Sequence, residues 1–168
     1  RKKIKIKVCK IEDAKLLFYI HNTSVRRGYF ESTNTIKYKD HVLWLKEKLK
    51  SKNSKIYIGT LNNIKFGYVR FDTIINKNYQ VSISNKSNFY GKGLGTQMLN
   101  LAIKKFIILK KPKQICCIVK KANIRSQKCF EKNNFKLKEF NKKKNKIIGK
   151  FNIKKDNYFK LMQKNLQI

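Results

Sequence analysis

The stretch of this chain best suited to chemistry is Tyr90-Gly91-Lys92-Gly93-Leu94-Gly95-Thr96, in which three glycines alternate with other residues. Leu94, Met98, Leu101, Ala102 and Leu109 then recur at helical spacing, so a helix starts inside the glycine run. A helix start offers unpaired backbone N–H groups and the positive end of the macrodipole. Glycines let that backbone approach a ligand closely. Together these features make a cradle for phosphate. A Walker loop is excluded because Lys92 is followed by Gly93 rather than Ser or Thr. A dinucleotide fingerprint is excluded because its third glycine would fall on Thr96 or Met98. A run of glycines also serves as a plain turn ahead of an ordinary helix, so the run alone leaves both readings open.

The elements around the run must position it. Ile4, Ile6 and Val8 alternate with lysines, as in a half-buried strand. Glu12-Asp13 opens a helix with Leu16, Leu17 and Ile20, its acids at the favourable end. Residues 21–37 read as polar and irregular, and a second helix spans 38–50. Strands are expected over 55–61, 64–73 and 79–85, joined at Asn62-Asn63 and at Asn76-Lys77-Asn78, since Asn tolerates positive φ. After the central helix Pro112 marks a break, and the apolar run 114–119 suits a buried strand. Asn123 fits the N-cap of a helix over 124–133, and Asn134 the left-handed position after it. Strands follow from Phe135, over 147–151 and over 158–162. The order predicts an α/β protein with a mixed sheet and helices on both faces.

The chain has 168 residues, enough for one domain with a real core. No apolar run is long enough to span a membrane, and no signal peptide is visible. The first residue is Arg1 rather than Met, which leaves a longer parent chain open. The formal net charge is +33. That charge suits a binder of nucleic acid or of an anionic membrane. It also suits a biased genome, since Lys, Ile and Asn fill 76 of 168 positions and all three have A/T-rich codons. Only five of the 42 basic residues are arginine, the side chain suited to forked contacts with phosphate and guanine. The lysines are spread along the chain, so neither a specific nucleic acid nor a membrane is expected as a partner. Cys9, Cys116, Cys117 and Cys129 form no Cys-x-x-Cys pair, and there are two histidines, so no metal site is expected. Cys116 and Cys117 read as packed strand residues in a reduced, cytoplasmic protein.

Tyr90-Gly91-Lys92-Gly93-Leu94-Gly95 resembles the pyrophosphate loop of the GNAT family of N-acetyltransferases, whose pattern is Arg or Gln, two residues, Gly, one residue, then Gly or Ala. Tyr90 stands where Arg or Gln is usual. The stretch 119–135, with Asn123, Phe130 and Asn134-Phe135, resembles the family's second motif. The resemblance covers nearly the whole chain and implies a single N-acetyltransferase domain over 1–168. It implies a mostly antiparallel sheet splayed in the middle, with acetyl-CoA in the gap. Pantetheine would then pair with Ile83, Ser84 and Asn85. The pyrophosphate would sit on Tyr90, Gly91, Lys92, Gly93, Leu94, Gly95 and Thr96, with Asn123, Ser126 and Phe130 opposite.

The chemistry so implied is attack of a neutral amine on the thioester, with a backbone N–H polarising the carbonyl and a base taking the ammonium proton. Many members place a tyrosine acid where this chain has Phe130, and a glutamate base near Gln80. The remaining candidate bases are His41, Asp72 and Glu31, each of which also fits a surface or capping role. Histidine titrates near neutrality, which favours His41. Asn22, Val25-Arg26, Ser32, Ile36, His41-Val42-Leu43-Trp44 and 67–72 resemble the subgroup that acetylates nucleotide-linked amino sugars of the pseudaminic-acid type. On that resemblance Arg26 and Arg70 would hold a diphosphate, and Trp44 or Tyr29 would stack on a base or sugar. The implied partner is a small-molecule amine, with a homodimer open. The alternatives are a protein acetyltransferase and a basic RNA-binding domain.

Overall fold

The computed structural model describes residues 3–26, 34–141 and 145–153. The expected strand over 158–162 and the candidates Tyr29 and Glu31 lie outside the described residues. The elements are β1 (Ile4–Val8), α1 (Ala14–Arg26), α2 (Tyr38–Lys50), β2 (Ser54–Leu61), β3 (Ile64–Ile75), β4 (Asn78–Asn85), α3 (Leu94–Lys110), β5 (Gln114–Lys120), α4 (Ile124–Glu131), β6 (Phe135–Asn141) and β7 (Lys146–Phe151). Among the described residues no helix is long and apolar enough to cross a membrane.

The seven strands form one sheet in the order β1-β2-β3-β4-β5-β7-β6. All neighbours are antiparallel except β4 and β5. Those two pair in parallel only over Asn78–Gln80 and Gln114–Cys116. Beyond Gln80 they diverge, and among the described residues no strand pairs with the β5-facing edge of β4 from Val81 through Asn85. The expected splay is therefore present. The β6–β7 hairpin folds back so that β7, not β6, lies against β5.

The Asn turns explain the meander. Asn62 and Asn63 have φ of 49° and 67°, and Asn76 and Lys77 have 44° and 63°. Two successive positive φ values make the turn whose twist matches a hairpin. Asn134 also takes positive φ, at 64°, just after α4. Asn123 caps α4 by accepting the Ser126 N–H at 3.1 Å.

Each sheet face carries its own core. Tyr57, Val69, Phe71 and Val81 pack with Met98, Leu99 and Phe106 of α3. Ile56, Ile58 and Tyr68 pack with Leu17, Ile20 and Leu45 of α1 and α2. The Phe71 and Phe106 rings stack at 3.9 Å between centroids. The apolar face of α3 differs from the expected one at its end, where Leu109 is 55% exposed while Phe106 and Ile107 are buried. A bulge decides which face the β3 residues reach. Gly59 pairs with Gly67 and Thr60 with Lys65, so Phe66 is the extra residue. Phe66 joins the α3 core while Tyr68 joins the α1 and α2 core.

One expectation is corrected. Residues 21–26 are not irregular, because α1 continues through Arg26. Their polar side chains hid a buried face, since Asn22, Ser24 and Val25 are all buried. Asn22 donates to the Ile36 carbonyl at 3.2 Å and accepts the Ile36 N–H at 3.1 Å, which ties the approach to α2 back onto α1.

Candidate functional site

A cavity of about 280 Å³ opens where β4 and β5 diverge. Its walls come from the end of β4 (Ile83, Ser84, Asn85), from the glycine loop (Tyr90, Gly91, Gly93, Leu94, Gly95, Thr96) and from α4 with its cap (Asn123, Ser126). Gly93 is the N-cap of α3 with φ 71°, and Gly91 has φ 73°. A Cβ at either position would point into open space with nothing within 4 Å. The loop thus presents bare backbone and the first N–H groups of α3 to the cavity, as a phosphate cradle requires. Asn85 lies between Gly67 and Gly95, and its Oδ1 is buried with no hydrogen-bond partner among the described residues.

A second cavity, of about 300 Å³, lies on the sheet face that α1 and α2 cover. Leu17 and His21 reach it from α1, Asp40, His41 and Trp44 from α2, and Tyr68 and Arg70 from β3. Ile36 closes it, held by Asn22. The His41 Nε2–H donates to the Ala14 carbonyl at 3.0 Å, which leaves Nδ1 with the lone pair. Burial lowers the His41 pKa below its ordinary 6.5, and the Ala14 bond opposes that only in part. Burial also lowers His21, with help from His41 and Arg70. Burial raises the Tyr68 phenol, with the Arg70 charge pulling the other way. Both imidazoles are therefore biased toward the neutral form and Tyr68 toward the protonated one. Trp44 stacks on His41 at 5.5 Å, and the Arg70 guanidinium sits 5.4 Å from the Trp44 ring.

Both cavities are lined from α1 and from the β3–β4 strand pair. Along one face of α1, His21 lines the second and Ser24 the first. The Ser24 and Ser84 hydroxyls lie 3.3 Å apart. Across the sheet Ser84 is the register partner of Tyr68.

The acetyltransferase (GNAT) domain family matches residues 4–136. The chain belongs to the GNAT family. It is an N-acetyltransferase that uses acetyl-CoA. No curated protein matches the chain. Among solved structures it resembles a domain from Methanocaldococcus jannaschii at 24% identity, covering 91% of this chain and 100% of that one with a TM-score of 0.77. It resembles a ribosomal-protein-alanine N-acetyltransferase from Brucella melitensis at 14% identity, 89% and 99% coverage and a TM-score of 0.77. A third likeness is to a ribosomal L7/L12 α-N-protein acetyltransferase in complex with coenzyme A, at 12% identity, 91% and 96% coverage and a TM-score of 0.76. At these identities the likeness is one of GNAT fold.

Eleven of the residues expected to meet acetyl-CoA line the first cavity together. Two do not. The Lys92 side chain turns back, with Nζ donating to the Asn88 carbonyl at 3.2 Å. Phe130 is 3% exposed and packs edge-on against Phe135 at 5.0 Å. Of the acceptor-side candidates, His41, Trp44 and Arg70 meet in the second cavity. Arg26 is exposed at the end of α1 and lines neither cavity. Asp72 also lines neither, and it is held by Lys48 at 3.0 Å, Ser54 at 2.8 Å and Arg70 at 2.7 Å. Burial alone would raise its pKa, but the Arg70 charge and the Lys48 and Ser54 bonds outweigh that and lower it. A carboxylate held in this way is a poor proton acceptor. His21 and Asp40 carry no motif and were found only through the structure, while Tyr68 lies within the 67–72 resemblance but had no role assigned to it.

Proposed function

We propose that the glycine-loop cavity holds acetyl-CoA and that the α1–α2 cavity holds the acceptor amine. The observation that carries this reading is the meeting of the two linings on one strand pair, where Ser84 of the first is the register partner of Tyr68 of the second. An amine in one cavity meets a thioester in the other only where the linings come together. Acetyl-CoA supplies an activated acetyl group on a thiol leaving group. The residues of this chain orient the amine and manage its proton. His41 Nδ1 takes the proton from the attacking nitrogen, directly or through one water. Tyr68 keeps its proton at neutral pH and is the O–H donor of this wall.

The acceptor is an amino sugar joined to a nucleotide. A compact cavity with Trp44 and Tyr68 as flat walls and Asp40 as hydrogen-bond acceptor suits a sugar ring. The charge of +33 draws an anionic diphosphate toward it. A second reading, acetylation of protein N-termini, has in its favour the GNAT relatives that act on ribosomal proteins. Thermal unfolding tests both. The protein is melted with acetyl-CoA and then with UDP-, GDP- and dTDP-linked amino sugars, or with short peptides bearing free N-termini. A ligand at about a hundred times its Kd stabilises by about 2.7 kcal/mol, or several degrees. A rise with one nucleotide sugar, but not with its unaminated parent, supports the first reading. A rise with peptides alone replaces it with the second.

A further inference from the structure

Tyr90 departs from the GNAT loop pattern, and its ring is covered by a cation. The Arg125 guanidinium carbon, from the first turn of α4, lies 3.4 Å from the centroid of the Tyr90 ring. Both residues line the glycine-loop cavity, together with Gly91 and Gly93. We propose that Arg125 is a ligand of the acetyl-CoA pyrophosphate, standing in from across the cavity for the Arg or Gln that Tyr90 replaces. The inference rests on the assignment of acetyl-CoA to this cavity and is independent of the acceptor.

Three observations converge on it. The stack holds the guanidinium by its face, and the five N–H donors lie in its plane, so stacking does not consume them. Tyr90 opens the same loop whose Gly91 and Gly93 present bare backbone, so the stack ties the cation to the phosphate cradle. Lys92, the cation within the loop, is turned onto the Asn88 carbonyl and the Phe89 ring instead. The neighbouring basic residues Lys128 and Lys132 line the same wall one helical turn apart and extend the positive surface beyond Arg125. A tyrosine at the first loop position is thus a platform rather than a lost contact. An arginine delivered from α4 gives the forked geometry that suits a diphosphate, where a lysine gives a point charge.

Isothermal titration tests this on Arg125→Ala, Tyr90→Leu and the double variant Tyr90→Arg with Arg125→Ala, with melting curves to confirm folding. Arg125→Ala should weaken acetyl-CoA about tenfold or more, as loss of a hydrogen-bonded charge predicts. It should weaken the 3′-dephospho form equally and leave phosphate-free S-acetylpantetheine unaffected. Tyr90→Leu should reproduce part of the loss, and the double variant should recover most of it. Unchanged acetyl-CoA binding by Arg125→Ala would overturn the proposal. So would a loss confined to the 3′-phosphorylated coenzyme, or one shared with S-acetylpantetheine. Gly93→Asp separates the two layers, since its carboxylate would occupy the phosphate cradle. If Gly93→Asp binds acetyl-CoA normally, the cavity assignment falls and Arg125 falls with it. If Gly93→Asp loses binding while Arg125→Ala keeps it, only the arginine is wrong.

Discussion

Tyr68 and Ser84 are register partners on β3 and β4, yet each lines a different cavity. Directly opposed side chains lie side by side on one sheet face, here the face that α1 covers, and the two strands are about 5 Å apart. On the proposed function, backbone hydrogen bonds rather than loops would set the distance between the two ligands.

Tyr68→Phe tests the donor role. The ring and its packing remain, and only the hydroxyl is lost. We expect kcat to fall about 10²-fold, the lower end for a general acid. The KM for acetyl-CoA should change little. Equal kcat in the variant would remove Tyr68 from the chemistry.

The pH profile tests His41. As the proposed base His41 would act as neutral imidazole, and burial lowers its pKa from 6.5. The acid limb of kcat/KM should then have its midpoint below 6.5. His41→Gln should remove that limb and cost about 10²-fold or more in rate. The same shifts bear on stability. Around pH 6.5 the unfolded chain binds protons that native His21 and His41 do not, so it binds the more. Their contribution is complete above 6.5 and is lost as pH falls from there toward the lowered native values. Urea midpoints at pH 7.5 and 5.5 would show the drop.

Asp72→Asn separates an ion-pair role from a base role. The carboxylate is about one quarter exposed, as is its partner Arg70. Pairs of that exposure contribute about 0–1 kcal/mol each. A small loss of stability with kcat kept within a few-fold is expected, together with a change in acceptor KM as Arg70 is released. A hundredfold loss of kcat with normal folding would restore Asp72 as the base.

Phe106→Ala should cost about 3–5 kcal/mol in chemical unfolding, the usual range for truncating a buried aromatic. The ring is 1% exposed, stacks on Phe71 and meets Tyr79 edge-on at 4.8 Å. Acetyl-CoA binding should persist in whatever fraction stays folded, since Phe106 is remote from the glycine loop along α3.

Local chemistry was legible along the chain. The Asn turns, the Asn123 cap, the apolar β5 run and the helix start at the glycines are each written within a few residues, because each is a short-range backbone preference. What was not legible depends on how distant residues meet. Simple alternation puts Phe66, Tyr68 and Arg70 on one face, and the bulge at Phe66 breaks that pattern. The placement of β7 between β5 and β6 is a choice of pairing that no single strand encodes. His21, half-buried, and Asp40, still exposed, are seen to line a cavity only once α1 and α2 are packed over Tyr68. Asn22 and Ile36, fourteen positions apart, resembled one subgroup separately, and a pair of hydrogen bonds joins them.

The short parallel contact between β4 and β5 divides the sheet into two leaves, β1-β2-β3-β4 and β5-β7-β6, stitched by three residue pairs. Each leaf has full-length ladders of its own, so the seam is where the ligand-free sheet has least to lose on opening. A coenzyme lying along that seam would fasten it from within. Such a protein would be stiffest when loaded and loosest between turnovers, and its amide exchange along β4 and β5 would count coenzyme occupancy as directly as any assay of product.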